Sequence, residues 1–152
     1  MITLSNSELA VTLTLEVMGY QYPDANNFWD GNWLFLKVGV TQGNQRFEKI
    51  DPAIGTYDLT KLHRWFTTLL QRPSPDGYPE KNLEFTEPCL AFEYTGYSGD
   101  VIIIKVILAC ALCPTFHKTE NIWQAEFRLA DADIALILAN LESSIQDYPL
   151  RD

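Results

Sequence analysis

Positive charge is what this sequence has least of. Eleven Lys and Arg stand against twenty Asp and Glu, for a formal net charge of -9. Phosphate binding needs clustered basic side chains, so this balance excludes nucleic acid as a partner. Long apolar runs are also missing. The longest, "VIIIKVILACALC" at residues 101–113, is interrupted by Lys105 and falls short of the ~20 residues a membrane helix requires, so no membrane partner is expected. The start, "MITLSNSELAV", lacks a basic segment followed by an apolar one and does not read as a signal peptide. Three cysteines, an odd number, argue against a secreted disulfide framework. These absences together point to the cytoplasm.

What is present suits a folded chain. Apolar residues make up 47% of 152 residues, which suits a globular protein and not a disordered one. A chain of this length buries roughly 70% of its unfolded surface without metal or disulfide staples. We expect one domain over residues 1–152. "RPSPDGYPEKN" is the most linker-like stretch, but the halves it would separate are too open-faced to stand alone. No internal repeat or low-complexity run is visible in the sequence.

Residues 8–18, "ELAVTLTLEVM", alternate with Leu9, Val11, Leu13, Leu15 and Val17 on one face, the pattern of a half-buried strand. Residues 19–32 carry breakers and read as a loop. Residues 33–41 form a second strand, and "TQGNQ" turns into a third near 46–50. Asp58 can cap a helix over about 59–71, with Leu59, Leu62, Phe66 and Leu69 at helical spacing. Short strands follow at 83–85 and 89–94, and "TGYSGD" turns into a long strand from Val101. Its apolar face is Ile102, Ile104, Val106, Leu108, Cys110 and Leu112. Residues 122–129 make a further strand. Asp131 caps a last helix over about 132–147, with Ile134, Ile137, Leu138, Leu141 and Ile145 along one stripe. The fold class is α+β: an antiparallel sheet or sandwich of about seven strands with two helices.

The stretch "NNFWDGNWLFLKV" poses a choice between a site and a turn. Asp30-Gly31 supplies turn chemistry. Leu34, Leu36, Val38 and Val40 share one strand face, and Trp33, Phe35 and Lys37 the other. Trp33 therefore needs a second cover, from its own chain, a twin subunit or a partner.

No catalytic set emerges. "CALCPTFH" puts Cys110, Cys113 and His117 in a Cys-x2-Cys-x3-His spacing, but a strand would point the two thiols to opposite faces, and zinc needs four converging ligands. Buried free cysteines are the expectation, with no metal. His63 beside Arg64 and Trp65 has no nucleophile elbow, phosphate loop or dinucleotide fingerprint to work with. Glu84 and Glu87, near Pro88, read as a solvated acidic rim sooner than an acid–base pair. Segment 80–100 holds Glu80, Glu84, Glu87, Glu93 and Asp100 against Lys81 alone. From residue 119 onward seven acids face only Arg128 and Arg151. Such charge serves solubility, and it also suits a basic protein partner.

Five stretches in order, "GYQYP" (19–23), "DGNWLFLKV" (from Asp30), "YDLTKLHRWFTTL" (57–69), "LEFTEPCLAFEY" (83–94) and the closing "YPLRD", together resemble the WapI-type immunity proteins of bacterial polymorphic toxin systems. The "RPSPDG" region and the cysteine pair lie outside the resemblance. It implies a small cytoplasmic antidote, monomer or homodimer. The antidote would bind and neutralise the toxic C-terminal domain of a cognate toxin, often a nuclease, without catalysis or cofactor. A nuclease domain must be basic to hold its substrate, which an acidic inhibitor would mimic. From charge and facing, the candidate protein-binding residues are Glu80, Glu84, Glu87, Glu93, Asp30 and Trp33. The competing readings are a non-catalytic scaffold domain, dimeric through the Trp33 face, and a small-molecule binder with an aromatic pocket.

Overall fold

A computed structural model of the chain describes residues 1–71 and 81–152. Glu80 and most of the linker-like stretch lie outside the described residues. The elements run β1 (Ile2–Asn6), β2 (Val11–Tyr20), α1 (Phe28–Gly31), β3 (Trp33–Gln42), β4 (Gln45–Gly55), α2 (Thr56–Gln71), β5 (Asn82–Glu84), β6 (Leu90–Ser98), β7 (Val101–Ala109), a 3-10 turn at Cys110–Leu112, β8 (Ile122–Leu129) and α3 (Asp131–Asp147). The strands form two antiparallel sheets, β1-β2-β3-β4 and β5-β6-β7-β8, each joining neighbours in chain order and each followed by a helix. The fold is thus α+β, as the pattern predicts. The described strands number eight, because β1 was not anticipated.

Alternation decides what each strand buries. Leu13, Leu15, Leu34, Leu36, Val38 and Val40 of the first sheet are enclosed, as are Phe92, Ile102, Ile104, Val106, Leu108 and Phe127 of the second. Leu59, Leu62, Trp65, Phe66 and Leu69 of α2 and Ile134, Ile137 and Leu141 of α3 join the same buried cluster. Each such side chain stabilises the fold by about 1.5–3 kcal/mol relative to exposure. Leu36, Leu59, Leu90 and Leu141 border one small interior gap, so both sheets and both long helices meet there. The sheets also touch at their β1 and β8 edges. The Asn6 side chain donates to the Glu126 carbonyl at 2.7 Å, and Trp123 Nε1 donates to Gln42 Oε1 at 3.0 Å. On the far edge of the second sheet, Lys61 Nζ of α2 donates to the Glu84 carbonyl at 2.6 Å. The Asn6 and Lys61 bonds occupy edge-strand carbonyls that would otherwise be open to strand addition.

Two hairpins turn as expected. Gly43 and Gly99, each at φ +60, open two-residue connections between Gln42 and Gln45 and between Ser98 and Val101. That left-handed conformation favours glycine. Pro52 interrupts β4 where the register with β3 shifts between Leu34 and Leu36. β4 is an edge strand, where a missing N–H is tolerated, so the strand continues past the proline to Gly55.

Other boundaries depart from the pattern. Alternation predicts Leu9 on the buried face of a strand from residue 8; it lies instead in the turn joining β1 to β2 and is exposed. It shares parity with Val11, so the alternation runs into the turn without a visible break. Asn6 Oδ1 accepts the Leu9 N–H there at 3.1 Å. Cys110 was placed on the buried face of the long strand. β7 instead stops at Ala109, Cys110 sits at φ 51 and is exposed, and Leu112 reaches the core from the 3-10 turn. Asp58 and Asp131 are inside their helices and do not precede them. The capping carboxylates reach back instead from the third helical position. Asp58 Oδ2 accepts the Gly55 N–H at 2.8 Å, and Asp133 Oδ2 accepts the Ala130 N–H at 2.8 Å.

Asp58 is buried, and burial raises its carboxyl pKa against the opposing pull of the Gly55 N–H and the Lys61 charge. A raised folded pKa means the native state binds the proton more tightly than the unfolded chain. Ionisation of Asp58 therefore costs stability at neutral pH, and that cost shrinks as pH falls from the raised value toward the ordinary carboxyl value. Asp58→Asn keeps an acceptor for Gly55 and removes the charge. In urea titrations at neutral pH and at about pH 4, the stability difference between wild type and variant should move in favour of wild type at the acid end. A difference independent of pH would show that burial does not govern this group.

Candidate functional site

The loop between β2 and β3 is held more firmly than its breaker-rich sequence suggests. Asn32, fully buried, satisfies all four of its side-chain hydrogen-bonding positions. Its Nδ2 donates to the carbonyls of Phe28 (2.6 Å) and Arg151 (2.8 Å). Its Oδ1 accepts from Thr56 Oγ1 (2.8 Å) and the Arg151 N–H (2.9 Å). Its carbonyl also accepts the Thr56 N–H at 2.9 Å. One amide thus ties α1, the start of α2 and the C-terminal segment together.

The Arg151 side chain completes the clasp. Its guanidinium donates to the carbonyls of Tyr22 (3.4 Å), Gly31 (3.3 Å) and Pro23, and lies 4.5 Å from the centre of the Tyr20 ring. Tyr20 in turn donates its hydroxyl to the Pro149 carbonyl at 2.6 Å and meets Tyr148 edge to face. At the outer end, Asn27 and Asp30 bond reciprocally. The Asp30 N–H reaches Asn27 Oδ1 at 2.9 Å, and Asn27 Nδ2 reaches Asp30 Oδ2 at 2.8 Å.

On this scaffold sits a cluster of three aromatic rings. Phe28 and Trp29 of α1 meet edge to face at 5.1 Å, and both contact Tyr57 of α2 with centroids 6.3 Å away. Trp29 is 63% exposed. Its position contrasts with Trp65 and Trp123, which are buried in the core. In the same loop an open hollow of about 420 Å³ is lined by Tyr22, Asp24, Asn27 and Asp30 among others, with no Lys or Arg among the described residues of its wall.

The candidate residues are dispersed over two regions. Asp30 is exposed and belongs to this loop. Trp33 begins β3 and is half-buried, neither core nor bare. Glu84 and Glu93 lie on the outer face of the second sheet, since Leu83 and Phe92 between them point inward. In register beside Glu93 stand Lys105 and then Glu126, and one row further Arg128 opposes Ile103. That face thus mixes three carboxylates with two cations. Glu87 sits in the turn before β6, half-buried, where its Oε1 accepts from the Cys89 thiol at 3.7 Å. Sequence reading missed Trp29. Facing in β3 singled out Trp33, while the one-turn helix that presents Trp29 is too short to leave a periodic signal.

The cysteines stand differently from expectation. The argument from strand alternation fails, because the Cys113 N–H donates to the Cys110 carbonyl at 3.1 Å across a 3-10 turn. Cys110 is exposed, Cys113 half-buried and Cys89 buried. Burial first, then the neighbouring Cys110 thiol, pushes the Cys89 thiol up to about 12, so it is protonated at neutral pH. Burial also raises Cys113. Among the described residues no three His, Cys, Asp or Glu side chains gather as metal ligands. His63 Nε2 lies 3.0 Å from Glu142 Oε1, linking α2 to α3. No helix of the described residues is long and apolar enough to cross a membrane.

Four of the five stretches singled out in the sequence supply these contacts around the clasp: Tyr20 and Tyr22, then Asp30 and Asn32, then Tyr57, then Tyr148 and Arg151. The fifth, at 83–94, places Phe92 against Trp65 and Phe66 of α2, with Phe85 packed on Phe92. A comparison with curated proteins finds no match. Against protein families, residues 2–149 match the Immunity protein WapI-like family, nearly the whole length, and the chain belongs to that family.

Proposed function

We propose that the chain is a non-catalytic antidote acting in the cytoplasm, which binds a basic toxin domain, a nuclease, through its acidic surface. The observation that carries this reading is the net charge of -9 in a member of an immunity family. A nuclease domain must present positive charge to phosphates, so a carboxylate surface is its electrostatic complement. Glu84 and Glu93 share one outer sheet face and supply part of that surface. Glu87 contributes less, being half-buried beside Cys89.

The test is association kinetics with the toxin domain encoded beside this gene. Exposed charges act mainly on encounter, so Glu84→Lys with Glu93→Lys should slow association roughly tenfold at low salt and change dissociation little. Raising the salt should slow the wild type toward the variant. Association that neither salt nor the double reversal alters would remove this face from the interface. Absence of any complex would end the antidote reading.

A further inference from the structure

We propose that the Phe28–Trp29–Tyr57 cluster and the acidic hollow of the same loop are the anchor of the partner interface, and that the hollow takes an arginine side chain of the toxin domain. This rests on the antidote reading and specifies where its tightest contact lies.

The first argument is the mismatch between support and exposure. Large aromatic side chains are usually mostly buried. Here Asn32, Arg151 and the Asn27–Asp30 pair fix a loop whose outermost residue, Trp29, is left largely bare. Bare aromatics on a mobile loop would lose entropy on binding, whereas this loop is ordered by its own chain before any partner arrives. An exposed, rigidly held Trp is among the residue types that dominate binding energy at interfaces.

The second argument is charge. Asp24 and Asp30 are exposed in the wall of the hollow, and Asp152 follows the clasp. Asp30 accepts from Asn27 Nδ2 through Oδ2. Among the described residues the cation in the clasp is Arg151, whose guanidinium is committed to three backbone carbonyls and the Tyr20 ring. Tyr22 shares the wall of the hollow with Asp24 and Asp30, and an aromatic ring with carboxylates matches a guanidinium better than an ammonium, because the planar group stacks and forks at once. The loop thus already accommodates one arginine on its inner side, and its outer side offers the same two features, a ring face and oxygen acceptors. A basic toxin domain is rich in the side chain that fits.

The experiment measures binding of the same neighbouring toxin domain to full-length wild type, Trp29→Ala, Asp24→Asn and Asp24→Lys, with circular dichroism melts of each. Trp29→Ala should raise the dissociation rate about 30-fold, the size expected of a hot-spot residue. Asp24→Asn should slow association and weaken its salt dependence, and Asp24→Lys should do so more strongly. All should keep the fold, since both side chains project into solvent; the Asp24 variants carry the test if Trp29→Ala melts early. A folded Trp29→Ala with wild-type dissociation, or Asp24 variants with wild-type kinetics, overturns this inference while leaving the antidote reading intact. A wild type that forms no complex overturns both. Sedimentation of the free chain separates the other occupant: a dimer that Trp29→Ala abolishes would assign the patch to a second copy and overturn the proposal.

Discussion

Replacing Asn32 with alanine should lower stability by about 3–4 kcal/mol and the melting temperature by roughly 10 °C. The substitution removes four side-chain hydrogen bonds at a site with no solvent access. A typical hydrogen bond contributes about 1 kcal/mol net, but a buried partner left unsatisfied costs about 1–3 kcal/mol. Thr56 Oγ1, buried beside it, loses its acceptor, and so does the Arg151 N–H. The carbonyls of Phe28 and Arg151 lose a donor. Asn32→Asp is no remedy, since a carboxylate would face those two carbonyls. The same change should loosen the loop that carries Trp29, so toxin binding should fall along with stability. Deleting the last two residues should cost less in the Asn32→Ala background than in wild type, because both changes remove the same contacts. A melting temperature within about 2 °C of wild type would show that the clasp contributes little to the fold.

Asn32 also marks how far sequence reading reaches. Strand faces were legible because burial imposes strict alternation, as at Leu34 to Val40 and Ile102 to Leu108. Helix stripes were legible for the same reason, at Leu59 to Leu69 and Ile134 to Leu141. Ends were less so. Asp is favoured both before a helix and in its first turn, so Asp58 and Asp131 could not be assigned between the two positions. Small apolar residues after Ala109 hide the end of β7, because no Gly or Pro marks it before Pro114.

The candidate site was half legible. The loop and Asp30 were named, but nothing local marks Asn32 as buried or Arg151 as its partner across 119 residues of chain. Polar residues in a loop normally read as solvated, and only the tertiary structure brings the C-terminal segment over them. The plan of four strands and a helix was legible in the second half, and in the first half it lacked only β1. Similar elements recur there without similar sequence, since alternation and periodicity constrain only polarity.

The second large effect is expected at Phe92. Its ring, fully buried on β6, lies 5.9 Å from Trp65 and from Phe66 and 6.2 Å from Phe85. Trp65 and Phe66 belong to α2, the helix that follows the first sheet, while Phe92 and Phe85 belong to the second half of the chain. The cluster is therefore the seam between two strand-and-helix units. Each unit alone would expose the face that the other covers. Phe92→Ala removes a buried ring from a close-packed interior and should cost about 3–5 kcal/mol, most of it from lost transfer energy and the cavity left behind. Phe92→Leu should cost less, because more of the volume is kept. The expectation for cooperativity is sharper than that for magnitude. If the seam joins the halves into one folding unit, tryptophan fluorescence and far-ultraviolet circular dichroism should lose signal in a single coincident transition, in wild type and in Phe92→Ala alike. Trp33 reports on the first sheet and Trp123 on the second, so the probes sample both halves. A mutant that unfolds in two separated steps, with one half retained at intermediate denaturant, would show that the halves are autonomous and that Phe92 only docks them. A loss below about 1.5 kcal/mol with one transition retained would instead mean that the neighbouring rings close over the gap.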